Sequence, residues 1–180
     1  YDEVMATYHQ QIYAIDVAVG MIRKALKESG TDKNTVIIYT SDNGFFCGSH
    51  GYGSKVLPYE ESSRVPLVIY DPRHKNSGKK LRTSALTGNI DFAPTILSLA
   101  GISSPENMDG KNLMTVYDKP TSSLHQSLPL INVWGKEPTH ALGVVTEEMK
   151  YLYWGYAEKG FKPSNELYDL KKDPLEKSNQ

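Results

Sequence analysis

The sequence predicts an α/β fold, and three observations carry that expectation. A long amphipathic segment leads through a short turn into an apolar run, Val36 to Tyr39. A second short apolar run follows at Val65 to Tyr70, and beyond residue 129 several strand-like segments succeed one another without helices between them. Helix, turn and buried strand form a unit of an α/β sandwich, whereas consecutive short strands suggest a small antiparallel sheet.

The first element is a helix. Val4, Tyr8, Ile12, Ile15, Val19, Ile22 and Leu26 recur at spacings of three and four and define one stripe expected to face a core. Lys24 and Lys27 suit the negative end of the helix dipole, Gly30 supplies a C-terminal cap, and Asp16 beside the stripe reads as a solvated carboxylate. Thr31 to Asn34 turn the chain into the first strand. The second strand opens with Pro66, tolerated at a strand start, and ends at Asp71-Pro72-Arg73. Residues 73–82 read as a basic surface loop. Asp91 is a plausible N-cap for a short helix, nearly apolar all round and therefore expected to pack deeply, that closes at Gly101.

Residues 102–129, rich in Ser, Pro, Asn, Asp and Gly, read as an irregular connector. The composition shift divides the chain into a main body, 1–115, and a C-terminal subdomain, 116–180. Strands are expected at 130–134, 141–146, 150–156 and 166–170, with the charged end, Lys171 to Gln180, on the surface.

At 180 residues the chain can bury one sizeable core. Its 39% hydrophobic and 23% charged content describes a folded globular protein rather than a disordered one. Twenty basic against twenty-one acidic residues give a net charge of −1, so no global charge draws it to nucleic acid or a membrane surface. A single cysteine excludes an internal disulfide, and Cys47 has no activating neighbour in sequence. No run has the length of a membrane span, and oligomeric state is not legible. The polar start at Tyr1 lacks a signal peptide and suggests a processed or excised piece.

The chemistry concentrates between Thr35 and Lys55. The apolar strand ends abruptly in Ser41, Asp42, Asn43 and Gly44, delivering polar groups to the carboxyl edge of a sheet, where α/β proteins bind ligands. Asp42 offers a carboxylate and Asn43 an amide carbonyl, hard oxygen donors for Ca²⁺ or Mg²⁺; an Asx-Gly turn at a strand end would explain the same pair structurally. A glycine-rich loop carries His50 and Lys55, which can contact an anion or serve a leaving group, and which could equally be solvated loop residues. Glu60, Glu61 and Arg64 read as a local ion-pair and capping cluster rather than a catalytic one.

At these residues the chain resembles the type I sulfatases of the alkaline phosphatase superfamily. The match runs through Ser41-Asp42-Asn43-Gly44, Gly48-Ser49-His50-Gly51, Gly53-Ser54-Lys55 and Tyr59 to Leu67. It continues through Asn89 to Leu97, Leu99-Ala100-Gly101, and Glu166 to Leu170 with Asp173-Pro174 and Glu176. The resemblance implies the C-terminal part of an α/β/α sandwich on a mixed sheet, with a small antiparallel C-terminal sheet. It implies hydrolysis of sulfate esters with a divalent cation, usually Ca²⁺. Asp42 and Asn43 would be two of the metal's ligands, Lys55 would contact the sulfate and the departing group, and His50 would border the substrate. The substrate would be a sulfated small molecule or glycan, and the compartment extracytoplasmic.

One absence is informative. The family nucleophile is a formylglycine made within a Cys/Ser-x-Pro-x-Arg motif, which does not occur in these 180 residues, nor do the paired aspartates that complete the metal site. The chain is therefore expected to be a fragment with half a metal site and no turnover of its own. Two rivals stand beside this reading. One is a phosphodiesterase or phosphonate hydrolase of the same superfamily. The other is a non-catalytic module binding anionic glycans through Lys75, Lys79, Lys80 and Arg82.

Overall fold

The computed structural model describes residues 1–180 and contains a mixed α/β arrangement with a two-stranded and a four-stranded sheet, as the sequence predicts. The chain divides into two compact units, residues 1–39 with 67–80, and residues 40–66 with 81–180.

The first unit is built on helix α1, Asp2–Glu28, and on strands β1, Ile37–Thr40, and β2, Leu67–Tyr70, which form the two-stranded sheet. Asp2 and Glu3 in the first turn and Lys27 in the last suit the helix dipole. The helix ends as predicted: Gly30 adopts φ +71°, a conformation that costs glycine little. Its N–H bonds Lys27 O while the Thr31 N–H bonds Leu26 O, a Schellman pair. The predicted stripe does not face a core. No residue of α1 is buried, and Val4, Ile12, Ile15 and Ile22 are each more than two-fifths exposed. No helix is long and apolar enough to cross a membrane. After β2, Arg73 closes a bidentate pair on buried Asp71, with Nε and Nη2 donating to Oδ1 and Oδ2 over 2.9 and 3.1 Å.

The second unit contains the one-turn helix α2, Glu60–Ser63, helices α3, Phe92–Leu99, and α4, Met114–Asp118, and the antiparallel sheet. Strands β3, Leu128–Asn132, β4, Ala141–Val145, β5, Met149–Trp154, and β6, Ser164–Asp169, pair in sequence order. The register places Leu130, Gly143, Leu152 and Glu166 across one row and Leu128, Val145, Lys150 and Tyr168 across the next, on a single face. That face packs on Phe46, Leu57 and Tyr59, which with Leu152 and Tyr168 form the buried core. Ile131, Leu142, Val144, Tyr151, Tyr153 and Leu167 alternate onto the other face and remain exposed.

Four expectations require correction here. Helix α3 is not deeply packed: Pro94 and Thr95 are buried, but Ile96 is 56% exposed. Asp91 does not cap it through its side chain. The fully buried carboxylate instead accepts from the Gly88 N–H at 2.8 Å and the Lys111 N–H at 2.7 Å, and lies 2.8 Å from His125 Nε2. The 102–129 stretch is not mere connector, because it holds α4 and contributes Leu113, Val116, Leu124 and His125 to buried positions. Nor is the charged end wholly superficial. Glu176, at φ +51°, is buried, and its carboxylate accepts from the Glu60 N–H.

Candidate functional site

The site begins where β1 stops. Ser41 Oγ donates to Asn43 O over 2.8 Å, and Asp42 Oδ1 accepts from the Asn43 N–H over 2.9 Å. These bonds curl the strand end into a tight turn and set the Asp42 and Asn43 side chains. Gly44 is dictated by close approach. Its N–H donates to Ser62 O over 2.8 Å, and a Cβ there would stand 2.0 Å from Glu61 O. The strand end and α2 are thus pressed backbone to backbone, and only glycine fits.

From Phe46 the loop turns back on itself. The Phe46 N–H bonds Ser54 O and the Gly48 N–H bonds Tyr52 O, so the loop closes as a narrow hairpin-like excursion. That closure brings Lys55 to Asn43, with Nζ donating to Oδ1 over 2.8 Å. Two of the residues singled out by sequence thereby meet, and Asp42 precedes them directly. Both flank a cavity of about 200 Å³ whose walls include Ser62 and Ser63 from α2 and Ile131 and Asn132 from β3. The cavity mixes a cationic and several hydroxyl and amide groups with apolar wall, the composition of a site that orients a ligand through few polar contacts.

The oxygen set fits a hard cation in kind. Asn43 Oδ1 already faces a positive charge, that of the Lys55 ammonium, and the Asp42 carboxylate is exposed beside it. Carboxylate and amide oxygens are the donors Ca²⁺ and Mg²⁺ take, but these cations need about six or more oxygens, so Asp42 and Asn43 could supply only part of such a set.

His50 turns elsewhere. It adopts φ +53°, stacks on Tyr59 with ring centroids 4.4 Å apart and an interplanar angle of 16°, and meets Phe46 edge-on at 6.2 Å. Its Nε2 lies 3.4 Å from Glu61 Oε2, and the two side chains are only 16% and 18% exposed. The structure therefore joins Asn43 with Lys55, and His50 with Glu61, by separate contacts. Glu61 belongs not with Arg64, as the sequence suggests, but with the loop imidazole. Arg64 pairs with Glu60 at 3.6 Å on the surface.

Beneath α2 lies a group that sequence reasoning overlooks. Lys150 is wholly buried, with its ammonium 2.7 Å from Glu60 Oε1, 2.9 Å from Glu176 Oε1 and 3.1 Å from Pro58 O. Burial raises the Glu176 carboxyl above the ordinary glutamate range, and the Lys150 charge opposes that rise. A signal was present, since Lys150 shares parity with Leu152 and Trp154 in an alternating strand and so had to point inward. The ligand atoms of His50, Glu61 and Glu176 fall within 4.8 Å of one another, a spacing that could admit a metal. The Lys150 ammonium already compensates Glu176 at 2.9 Å, whereas Glu61 Oε2 is buried without a hydrogen bond. Tyr59 is fixed from the other side. Its hydroxyl and that of Tyr168 both donate to Glu166, at 2.9 and 3.0 Å, and burial, then Glu166, pushes both phenols up so that they stay protonated.

Comparison with known proteins places these residues in context. The sequence model described as Sulfatase matches residues 1–102. The chain is 32% identical over 185 residues to an N-acetylglucosamine-6-O-sulfatase of Bacteroides thetaiotaomicron, covering 99% of this chain and 32% of that protein. It is 33% identical to an arylsulfatase of Clostridium perfringens, covering 97% of this chain and 35% of that one. Among solved structures, one described in complex with its substrate D-glucosamine-2-N,6-O-disulfate superposes with a TM-score of 0.82 at 31% identity, over 93% of this chain and 34% of that one. A phosphonate monoester hydrolase of Agrobacterium radiobacter gives a TM-score of 0.74 at 26% identity, over 93% and 35%. The chain spans about a third of the length of these relatives.

Proposed function

The chain belongs to the sulfatase family, and from that premise we propose that it supplies the metal-edge and leaving-group side of a sulfate-ester hydrolase. The observation that carries the reading is the contact between Lys55 Nζ and Asn43 Oδ1 beside a walled cavity at the end of β1. Asp42 and Asn43 would hold a divalent cation, Ca²⁺ by family resemblance, which when bound polarises sulfate oxygens. Lys55, held by Asn43, directs its ammonium toward the anionic group and neutralises charge as the ester oxygen departs. His50, which by family resemblance would border the substrate, stacks on Tyr59 and faces Glu61, and it does not line this cavity.

The substrate class is a sulfated sugar or glycan. Support comes from the N-acetylglucosamine-6-O-sulfatase match and from the structural match to the complex with D-glucosamine-2-N,6-O-disulfate, each over nearly all of this chain. An extracytoplasmic location goes with that class of substrate. The chain by itself turns over no ester, because its 180 residues contain no Cys/Ser-x-Pro-x-Arg nucleophile motif.

A second reading, hydrolysis of a phosphonate monoester, has the phosphonate monoester hydrolase likeness behind it, although the sulfatase identities are higher. Full-length protein assayed with Ca²⁺ on 4-nitrophenyl sulfate and on 4-nitrophenyl phenylphosphonate separates the two. Preference for the phosphonate would overturn the sulfatase reading. Calorimetry should find weak or no Ca²⁺ binding to the 180-residue chain; tight stoichiometric binding lost in Asp42→Ala would refute the half-site.

A further inference from the structure

We propose that His50, Glu61 and Glu176 form a second cation site, which takes a divalent transition ion such as Zn²⁺ and ties the glycine-rich loop to α2 and the C-terminal segment. The proposal does not depend on the sulfatase reading. The three residues come from separate stretches of chain, yet one ligand atom of each lies within 4.8 Å of the other two. Two of these groups carry a buried oxygen that makes no hydrogen bond. Glu61 Oε2 is one. Glu176 Oε1 is the other: its side chain is wholly buried, and the Lys150 ammonium 2.9 Å away pairs with it by charge without a hydrogen bond. Buried carboxylate oxygens left without hydrogen bonds are costly, and two of them converging beside one imidazole point to a cation as their partner.

Distance and charge both select the ion. His50 Nε2 stands 3.4 Å from Glu61 Oε2, long for a hydrogen bond. That separation suits the edge of a tetrahedron around Zn²⁺, about 3.4 Å for metal–ligand bonds of about 2.0–2.1 Å. Around it, the carboxylates of Glu60, Glu61 and Glu176 face the single ammonium of Lys150. Three negative charges against one positive leave a surplus that a dication cancels while the imidazole stays neutral. When Glu176 turns to the metal, Lys150 keeps Glu60 at 2.7 Å. An imidazole among carboxylates suits Zn²⁺ better than Ca²⁺, which takes oxygen alone.

The imidazole is already set for this role. Stacking on Tyr59 and the edge of Phe46 fix the ring, with Nε2 toward Glu61. Tyr59 is itself anchored through its hydroxyl to Glu166. The ion would therefore act on the folding of the loop that brings Lys55 to Asn43, not on the reacting ester.

The test is Zn²⁺ binding by the full-length protein, stripped with a chelator and then kept in excess Ca²⁺. Calorimetry should find one equivalent of Zn²⁺ bound, and Tm should rise with Zn²⁺ concentration. His50→Ala and Glu61→Gln should each weaken binding by about 100-fold or more, at or beyond the loss seen when only an outer partner of a ligand is removed. Asp42→Ala should leave Zn²⁺ binding unchanged, because that carboxylate belongs to the strand end. No stoichiometric binding, or binding unchanged in His50→Ala and Glu61→Gln, would overturn the proposal. So would loss of Zn²⁺ binding in Asp42→Ala. Circular dichroism checks that each variant folds, and if one does not, the other decides, since the two ligands come from different elements. Ester turnover is not read in this test, so its outcome is separate from that of the sulfatase reading.

Discussion

Lys55 Nζ and Asn43 Oδ1, twelve positions apart in sequence, lie 2.8 Å apart, which holds the ammonium on the residue next to Asp42. A lysine so held acts as a fixed charge rather than a mobile surface cation. Lys55→Ala in the full-length protein should lower kcat on a sulfate ester by about 100-fold or more, in line with loss of one preorganised charge contact. The circular dichroism spectrum should be unchanged, because Lys55 is exposed and leaves no hole in the core.

Removal of the buried ammonium should act on stability instead. Lys150→Met leaves Glu60 and Glu176 facing each other without their shared cation. Breaking one side of a buried ion pair costs about 3–5 kcal/mol, so the urea midpoint should fall steeply. Replacing Lys150 and Glu176 together by Met and Leu should recover much of that loss, since no charge is then stranded at these two positions.

Gly44→Ala should be damaging out of proportion to its size. The added methyl would sit 2.0 Å from Glu61 O, and backbone atoms on both sides must separate. A loss of about 3 kcal/mol is expected from such overpacking, measured by chemical denaturation. Activity of the folded fraction should fall as well, because the same contact holds α2 against the strand end.

Asp71 gives a pH signature in the first unit. The Arg73 side-chain hydrogen bond holds its carboxyl below the ordinary aspartate value of 3.8. A depressed folded pKa contributes stability above the unfolded pKa, which is lost as pH falls through the folded one. Arg73→Gln should therefore lower Tm at neutral pH, and the difference from wild type should shrink below about pH 3.8 and vanish in stronger acid. Calorimetric scans across that window check the sign; a difference that grows on acidification would contradict it.

The strand end at Ser41–Gly44 and the four C-terminal strands were legible because each is a local pattern. An apolar run that breaks into polar residues marks the first, and short apolar or aromatic runs of high β propensity, with no helix between them, mark the others. Helix α1 was legible as a helix, but the exposure of its stripe was not, since periodicity says which residues share a face and nothing about what lies opposite. Asp91 carries every sign of an N-cap, yet one oxygen accepts from the Gly88 N–H behind it and the other is taken by Lys111 N–H and the His125 ring, partners 20 and 34 residues away that no local rule supplies. The pairing of Glu61 with His50 was obscured for a similar reason. In sequence Glu61 stands beside Glu60 and Arg64, and only the folding of the glycine-rich loop delivers the imidazole to it.

The ties that fix α2 reach far along the chain: Pro58 O to Lys150 across 92 residues, the Tyr59 hydroxyl to Glu166 across 107, and the Glu60 N–H to Glu176 across 116. During synthesis on the ribosome the glycine-rich loop and α2 emerge long before any of these partners exists. The ties that hold α2 can therefore form only once the antiparallel sheet and Glu176 have been translated, and contacts of such long sequence separation form slowly. A nascent chain stalled before Lys150 would carry α2 without any of these three partners.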